Sequence, residues 1–426
     1  MRERLFRNAQ FSLWAFLCKI TAQRHSTYFF LKKPTFSYFL RTLKIVFKYK
    51  IYENQTAVGT LLRPQITIHL DAVRENYARI RKYAPNAEIC PVVKSNAYGL
   101  GAVEIVRALI ACGCRNFYVS DPLEGVELRN NFPDIQINVL NGLQNGSQEL
   151  FRNYRLTPVI NSLEQLKTWE DLLSEAETSC ILNVETGFNR LGLPEKDWAL
   201  CTSERLKNAR ASVIMTHFSC VSESPSDDVE RNCVIEEQNR RQYAAYDRAL
   251  QRFQLSGSVA LDAFVQNTEK LPIAQVRTGA ALYGINVFPE KLNLQPTITL
   301  EVPVLQTELI RKGERVGYGA TWEAKRDTVV AVLGIGYSHG LPRSLSNCGT
   351  VWFRKGSDRY PASVIGRISM GLITCDVTDI PSEAVWTGSA MILDEHYTVN
   401  ELCTDADRLD SEILCNFKQM DWRYVG

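Results

Sequence analysis

The sequence predicts an α/β protein in which a (β/α)8 TIM-type barrel is followed by a C-terminal mainly-β domain. Two observations carry this prediction. Between residues 63 and 296, short strand-like apolar runs alternate with helical patterns. From residue 297 to residue 426, the long helical patterns give way to short β-rich runs separated by Gly and Pro. Residues 1–62 form a basic extension ahead of both regions.

The barrel region opens with an alternating strand at 66–70 and a helical segment that places Val73, Tyr77 and Ile80 on one face. Eight strand-like runs follow, at 88–94, 116–120, 136–140, 156–160, 180–184, 213–217, 261–265 and 273–276. Eight β/α units over roughly 200 residues fit a barrel, in which the chemistry lies at the carboxyl ends of the strands. A doubly wound open sheet gives a similar count, so the periodicity alone leaves both architectures open.

The C-terminal region is predicted to be a separate β domain that starts near residue 297. Its β-rich runs lie at 297–304, 328–333, 351–353, 362–365 and 372–377. No internal repeat or low-complexity segment interrupts the body of the chain.

Composition places the chain among ordinary globular proteins. Of 426 residues, 45% are hydrophobic and 23% are charged, which excludes a disulfide-stapled mini-protein, a collagen-like fibre and a mostly disordered chain. The formal net charge of +2 gives no global argument for a nucleic-acid partner. The charge is uneven, however, because residues 1–50 carry a net +10 and the remainder a net −8.

The basic extension, residues 1–62, has three interpretations that the sequence leaves open: a disordered tail, a targeting or membrane-touching segment, or a misassigned start of the chain. Its longest uncharged apolar stretch ends before Lys19, short of the ~20 residues that span a bilayer. The twelve cysteines are scattered without zinc-ligand spacing, so reduced thiols and a cytoplasmic protein without a metal are expected.

The most informative segment is 92–101, in which Lys94 directly follows an apolar strand. A lysine at that position lies at a barrel mouth, where partial burial lowers the pKa of its amine and makes it a competent nucleophile or base. The glycines that follow Lys94 would allow the backbone to approach a ligand closely. Taken alone, however, a lysine at the end of a strand is more often a solvated cap.

Seven further motifs accompany this segment in order along the chain. Together with VVKSNAYGLG (92–101) they are VETGFNRLG (184–192), MTHF (215–218), VRTGAALYG (276–284), VGYGATW (316–322), GIGYSHG (334–340), GRISM (366–370) and Arg423-Tyr424. This ordered set resembles the motifs of the alanine racemase family, which depends on pyridoxal 5′-phosphate (PLP). The resemblance covers residues 64–426 and extends to the barrel and the C-terminal domain.

The resemblance implies a two-base racemisation. Lys94 would carry PLP and act as one base, and Tyr337 of the partner subunit would act as the other on the opposite face of the substrate. A phenol is a poor base at its reference pKa near 10. His217, with Arg190 nearby, would assist it.

Cofactor and substrate contacts are also implied by the resemblance. Arg277 would donate a hydrogen bond to the pyridine nitrogen of PLP, and Arg190 and the backbone amide of Met370 would bind the substrate carboxylate. The phosphate would be held by Tyr98, Thr268, Tyr424 and the backbone at Gly279 and Ala280.

Several positions depart from the family's pattern. Gly371 and His339 stand where Asp is usual, and Asn183 takes the place of a lysine that many members carbamylate. The remaining departures are Leu100 for His, Glu185 for Asp, Phe188 for Met and Thr278 for Pro.

The resemblance therefore implies a homodimeric alanine racemase that supplies D-alanine for peptidoglycan. Three alternatives stay open: a racemase of another amino acid such as serine, a related basic amino acid decarboxylase, and a degenerate PLP-binding homologue. Tyr337 argues against the decarboxylase, whereas Gly371 keeps the degenerate homologue open.

Overall fold

The computed structural model describes residues 61–173, 178–223, 227–266, 271–285, 288–385 and 387–426. Two features of the sequence analysis, the basic segment 1–60 and Thr268, lie outside the described residues.

Two β-sheets dominate the fold. The strands in chain order are β1 (Gln65–His69), β2 (Glu88–Pro91), β3 (Asn116–Val119), β4 (Gln136–Val139), β5 (Thr157–Ile160), β6 (Cys180–Asn183), β7 (Ala211–Met215), β8 (Ser256–Ala260), β9 (Ile273–Thr278), β10 (Ile298–Ile310), β11 (Arg315–Val316), β12 (Trp322–Glu323), β13 (Thr328–Leu333), β14 (Thr350–Lys355), β15 (Asp358–Ile365), β16 (Ile373–Asp376), β17 (Ser389–Leu393) and β18 (Asp421–Val425).

Helices connect most of the strands. They are α1 (Leu70–Tyr83), α2 (Ala102–Ala111), α3 (Pro122–Asn131), α4 (Gln148–Asn153), α5 (Leu163–Leu172), α6 (Ser203–Asn208), α7 (Val229–Phe253), α8 (Leu261–Gln266), α9 (Pro289–Leu292), α10 (Ser382–Val385), α11 (Val399–Ala406) and α12 (Asp410–Asn416).

The first sheet is a closed barrel of eight parallel strands in the order β2-β9-β8-β7-β6-β5-β4-β3. The two end strands meet, because Val92 pairs in parallel with Tyr118 and the Val93 N–H donates to the Tyr118 carbonyl at 2.8 Å. One apolar core fills the barrel interior, around Cys90, Tyr118 and Ile181, and a larger one lies between strands and helices. The predicted barrel is therefore confirmed, and the open-sheet alternative is excluded.

Polar caps start several of the barrel helices. The carboxylate of Asp121 accepts hydrogen bonds from two N–H groups at the start of α3, where Pro122 supplies a favourable first residue. Ser162, Thr202 and Asp228 cap α5, α6 and α7 in the same way. The turns at Asp121 and Ser162 are short, whereas longer segments lead from β6 to α6 and from β7 to α7 at the carboxyl ends of those strands.

One predicted strand is wrong. Residues 261–265 form helix α8, and the strand of this barrel unit is β8, five residues earlier. Strand β8 reads SGSVA, so its apolar content is too low to stand out in the sequence. Its small residues are needed: a Cβ at Gly257 would lie 2.7 Å from the Pro272 carbonyl oxygen, and Ser258 accepts a hydrogen bond from Arg277 at 2.8 Å.

The second sheet contains eight strands in the order β13-β16-β15-β14-β17-β10-β1-β18, and β13 also pairs with β10. It confirms the mainly-β character predicted for the C-terminal region. The strand nearest the amino end, β1, belongs to this sheet, because it pairs antiparallel with β10 and parallel with β18. The described part of the chain thus contributes a strand to the second sheet before it enters the barrel, and the domain limits at 62 and 296 stay predictions.

Candidate active site

A cavity of about 460 Å³ opens at the carboxyl ends of the barrel strands. Residues that follow five different strands line it: Lys94 after β2, Arg190 after β6, His217 after β7, Asp262 after β8 and Gly279 after β9. The mouth of a (β/α)8 barrel is where such a fold gathers reactive side chains.

Lys94 is aimed into the cavity by a left-handed turn, residues 95–99. Ser95, Asn96, Ala97 and Tyr98 have φ between 53° and 58°, a conformation that L-residues avoid. Hydrogen bonds hold the turn: the Ser95 N–H donates to Glu124 at 2.5 Å, and the Asn96 side chain accepts from the Ala102 N–H at 2.8 Å. Strained backbone held in this way is typical of functional sites.

Glycine closes the turn, because a Cβ at Gly99 would lie 2.9 Å from the Leu414 carbonyl oxygen of α12. Helix α12 also places Ser411 in the cavity wall. Burial and, to a smaller extent, the positive charge of Arg190 lower the pKa of the Lys94 amine. A lowered pKa raises the share of the neutral amine, the form that acts as nucleophile or base.

His217 follows β7 and faces the same cavity. Its ring is accessible from the cavity and otherwise surrounded by protein, and burial with the charges of Arg277, Arg190 and Lys94 lowers its pKa to about 3. The imidazole is therefore neutral at physiological pH, and it can donate one hydrogen bond and accept another.

Arg277 is the innermost charge of the site, with 5% of its surface exposed. Its guanidinium donates to the Ser258 hydroxyl at 2.8 Å and to the Thr216 carbonyl at 2.6 Å. Burial lowers the pKa of Arg277, yet an arginine keeps its proton in proteins. The side chain has five N–H donors, so it can also donate to a ligand in the cavity.

Arg190 lies on the loop between β6 and α6, whose base is fixed by backbone bonds between Glu185 and Leu193 at 3.1 Å and between Leu193 and Asn183 at 2.8 Å. The Glu185 carboxylate accepts from the Arg190 N–H at 3.2 Å. The Asn183 side chain donates to Asn161 at 2.8 Å and to the Leu191 carbonyl at 3.0 Å. Asn183 therefore ties down the loop without contributing a charge.

A small-residue pocket lies where β9 turns into the helical turn Ala280–Tyr283. The Tyr98 hydroxyl lies so close to Gly279 that a Cβ there would overlap it. Both residues, with Ala280, line the cavity. Tyr424 stands behind them: its hydroxyl donates to the Leu100 carbonyl at 3.1 Å and leaves no room for a Cβ at Gly101.

Tyr337 and Met370 are not among the residues that line the cavity. They lie together on the surface of the second sheet region, because the Tyr337 N–H donates to the Ser369 carbonyl at 3.1 Å and the Ser338 N–H to the Met370 carbonyl at 2.8 Å. Tyr337 is 44% exposed and Met370 is 62% exposed. Among the described residues, the structure thus brings together Lys94, Tyr98, Arg190, His217, Arg277, Gly279 and Ala280, and it places Tyr337 and Met370 elsewhere.

Asp262 is a cavity residue that the sequence analysis did not find. It accepts a hydrogen bond from Ser222 at 2.5 Å, and burial with the negative charge of Asp410 raises its pKa. Its charge also acts on the Tyr98 phenol. The sequence signal for Asp262 is an acid that closely follows strand β8. The prediction missed it because it placed that strand five residues too late, at 261–265.

Comparison with known proteins identifies this arrangement. The chain matches the family profile "Alanine racemase, N-terminal domain" over residues 68–287 and "Alanine racemase, C-terminal domain" over 297–424. The chain belongs to the alanine racemase family. An alanine racemase of Rickettsia rickettsii is 33% identical over 370 residues, which cover 85% of this chain and 99% of that protein.

Other members of the alanine racemase family give the same result. A catabolic alanine racemase of Agrobacterium fabrum is 33% identical over 356 residues, 82% of this chain and 88% of that protein. The crystal structure of alanine racemase from Bartonella henselae with covalently bound pyridoxal phosphate is similar at a TM-score of 0.77 and 28% identity, covering 86% of this chain and all of that one. The protein is an amino-acid racemase. Among the described residues, no helix is long and apolar enough to cross a membrane.

The lowered pKa of His217 predicts that its imidazole does not titrate between pH 5 and pH 8 in cofactor-free protein. NMR of ¹³C-labelled histidine, with the signal assigned by a His217→Asn variant, measures this. An unperturbed histidine has its midpoint near pH 6.5. A midpoint between pH 6 and 7 for His217 would contradict the prediction.

The same shift has a consequence for stability. Because the folded state keeps His217 neutral down to a pKa of about 3, the unfolded state binds its proton first. This residue therefore destabilises the fold progressively as the pH falls from about 6.5 toward 3.

Proposed function

We propose that this protein interconverts L- and D-alanine with bound PLP, using Lys94 of one subunit and Tyr337 of the partner subunit as bases on opposite faces of the substrate. The observation that carries the proposal is the division of the site. One cavity gathers Lys94, Arg190, His217 and Arg277, whereas Tyr337 is exposed outside it.

The residues present fit PLP. Because Gly279 has no side chain, its backbone and the Tyr98 phenol lie next to each other and can both donate to a phosphate. The first N–H groups of the turn Ala280–Tyr283 have no partner within that turn and can donate to the same group. Arg277 supplies a permanent donor at the inner end of the cavity. When bound, PLP acidifies the α-proton of an amino acid by withdrawing electrons from the α-carbon. Lys94 would hold it covalently.

The chain's own side chains account for the proton transfers. Lys94, with its lowered pKa, would take or return the α-proton on its face of the substrate. Tyr337 of the partner subunit would do so on the other face, with neutral His217 accepting a hydrogen bond from its phenol. Arg190 would bind the substrate carboxylate, with the backbone N–H of Met370 from the partner subunit. Because a bound arginine does not protonate the ring nitrogen, Arg277 would favour simple proton exchange over transamination.

This assignment requires a homodimer, because Lys94 and Tyr337 of one chain do not lie in the same cavity. Four side chains that are large and exposed on one chain, Tyr318, Tyr337, Met370 and Leu372, lie within or directly beside the motifs shared with the family. D-alanine production would serve peptidoglycan synthesis. All cysteines of the described residues are unpaired, which suits the reducing cytoplasm.

The second candidate is a racemase with a wider substrate range, and one observation favours it. A Cβ at Gly371 would meet only the His339 ring, at 3.9 Å, so this position beside Met370 is open where the family's pattern has an acid. L-serine should therefore be tested beside alanine in the racemisation assay.

Racemisation of L-alanine and of D-alanine by PLP-loaded protein tests the proposal, and chiral chromatography measures it. We expect exchange in both directions, abolished in Lys94→Ala and lowered about 100- to 10,000-fold in Tyr337→Phe, the usual range for loss of a general base. In deuterium oxide, Tyr337→Phe should still exchange the α-proton of one enantiomer without racemising it. Exchange of both enantiomers in that variant would contradict the two-base assignment, and PLP binding without any exchange would indicate a degenerate homologue.

Mixing two inactive variants tests the shared site. In a mixed dimer of Lys94→Ala and Tyr337→Phe chains, one site receives both mutations and the other receives none. Random reassociation makes about half of the dimers mixed, so activity should return to about a quarter of the wild-type value. Reassociated Lys94→Ala alone is the control. No recovery from verified mixed dimers would show that both bases belong to one chain.

The raised pKa of Asp262 predicts that the affinity for PLP depends on pH. Its raised pKa keeps the carboxyl neutral at low pH, and above that pKa its charge repels a phosphate dianion near Tyr98. Asp262→Asn should therefore bind PLP several-fold more tightly at high pH and equally at low pH, measured as dissociation constants by absorbance titration. Asp134→Asn, an exposed acid away from the cavity, is the control. Weaker binding by Asp262→Asn at every pH would show that the carboxyl helps to hold the cofactor.

A further inference from the structure

Phe188 contacts two polar residues of the cavity wall, and we call these three residues the stack. The guanidinium carbon of Arg190 lies 4.1 Å from the centre of the Phe188 ring. On the other contact, the rings of Phe188 and His217 are 5.5 Å apart between centroids, at an interplanar angle of 31°. All three residues line the cavity.

The Arg190 side chain has no other fixed partner in the part of the chain that the structure describes. No carboxylate there forms an ion pair with it, and no hydrogen bond there uses its guanidinium as donor; only its backbone N–H is bonded, to Glu185. Arg190 is also exposed. A long exposed side chain of this kind loses rotamer freedom when it is fixed in one position.

The loop that carries Phe188 is held more firmly than the arginine. Gln238 donates to the Gly187 carbonyl at 2.7 Å, and Gln242 donates to the Thr186 hydroxyl at 3.3 Å and to the His217 carbonyl at 3.2 Å. Helix α7 thus anchors the backbone on both sides of the stack. The neutral state of His217 also matters, because a charged imidazole would repel Arg190.

We propose that Phe188 is the positioning residue for Arg190: its ring holds the guanidinium in the orientation that binds the substrate carboxylate, in a site where Asn183 offers no charge to do so. The face of an aromatic ring attracts a cation and leaves all five N–H donors free for the ligand. The methionine that the family's motif has at this position lacks a ring and cannot supply this interaction. The inference rests on the proposed function only in assigning the carboxylate to Arg190.

The test compares Phe188→Leu and Phe188→Met with Phe188→Tyr, which keeps the ring. Loss of a cation–π contact corresponds to about a 2- to 30-fold weakening. We therefore expect KM for alanine to rise by about that factor in the leucine and methionine variants, with kcat within about twofold, and we expect the tyrosine variant to restore the wild-type KM. Phe264→Leu is the matched control, since this ring packs on Tyr83 and does not line the cavity.

A binding measurement separates this inference from the proposed function. Acetate supplies a carboxylate without an amine, so its dissociation constant for PLP-loaded protein, by calorimetry, reports on Arg190 even if the protein racemises nothing. It should rise in parallel with KM, and the rise should disappear in an Arg190→Lys background. Unchanged acetate binding in Phe188→Leu, a fall in kcat with constant KM, or a tyrosine variant as weak as the leucine variant would overturn the proposal.

Discussion

A buried cation, Arg277, organises the barrel mouth. A full charge that is 5% exposed is tolerated only when its donors find acceptors, and Arg277 finds them at Ser258 within β8 and at the Thr216 carbonyl just after β7. A small hydroxyl residue at position 258 of β8 supplies one of these acceptors. The same charge contributes to the lowered pKa of His217. One arginine thus lines the cavity, hydrogen-bonds to two neighbouring barrel segments and adds to the burial that lowers the pKa of His217.

The cavity also concentrates positive charge. Lys94, Arg190 and Arg277 converge on it, and each lowers the pKa of His217. Among the described residues, neither arginine forms an ion pair with a carboxylate. Repulsion among these positive charges is unfavourable in the empty cavity. Bound anions offset it, because each cation is then attracted to a negative charge. A phosphate and a carboxylate are the anions that PLP and an amino acid supply. Two carboxylates, Asp262 and Glu185, also line the cavity, and the Glu185 carboxylate accepts a hydrogen bond from the Arg190 backbone N–H.

The sequence predicted those residues whose positions follow from strand order. Parallel strands end at one edge of a barrel, so Lys94, His217 and Arg277 had to meet once the strands were recognised. Strand β8 escaped recognition because its interior residues are small in order to accommodate Arg277, and Asp262 escaped with it. The pairing of β1 with β10 and β18 joins residues more than 200 positions apart, which no local pattern reveals. Thr268 lies outside the described residues, so its role stays a prediction.

The geometry of a racemase explains why the remaining residues lie where they do. A barrel presents its side chains to a ligand from one side, the carboxyl ends of its strands. Removal of a proton from one face and its return to the other requires a second base from outside that ring of strands. Tyr337 is held at the surface by backbone hydrogen bonds between its segment and the one that carries Met370, and a Cβ at Gly336 would overlap the Ser369 carbonyl oxygen. The two segments are thus bonded to each other and expose the Tyr337 phenol and Met370 together. Since these residues are outside their own chain's cavity, a second copy of the chain is the source that the proposed chemistry requires.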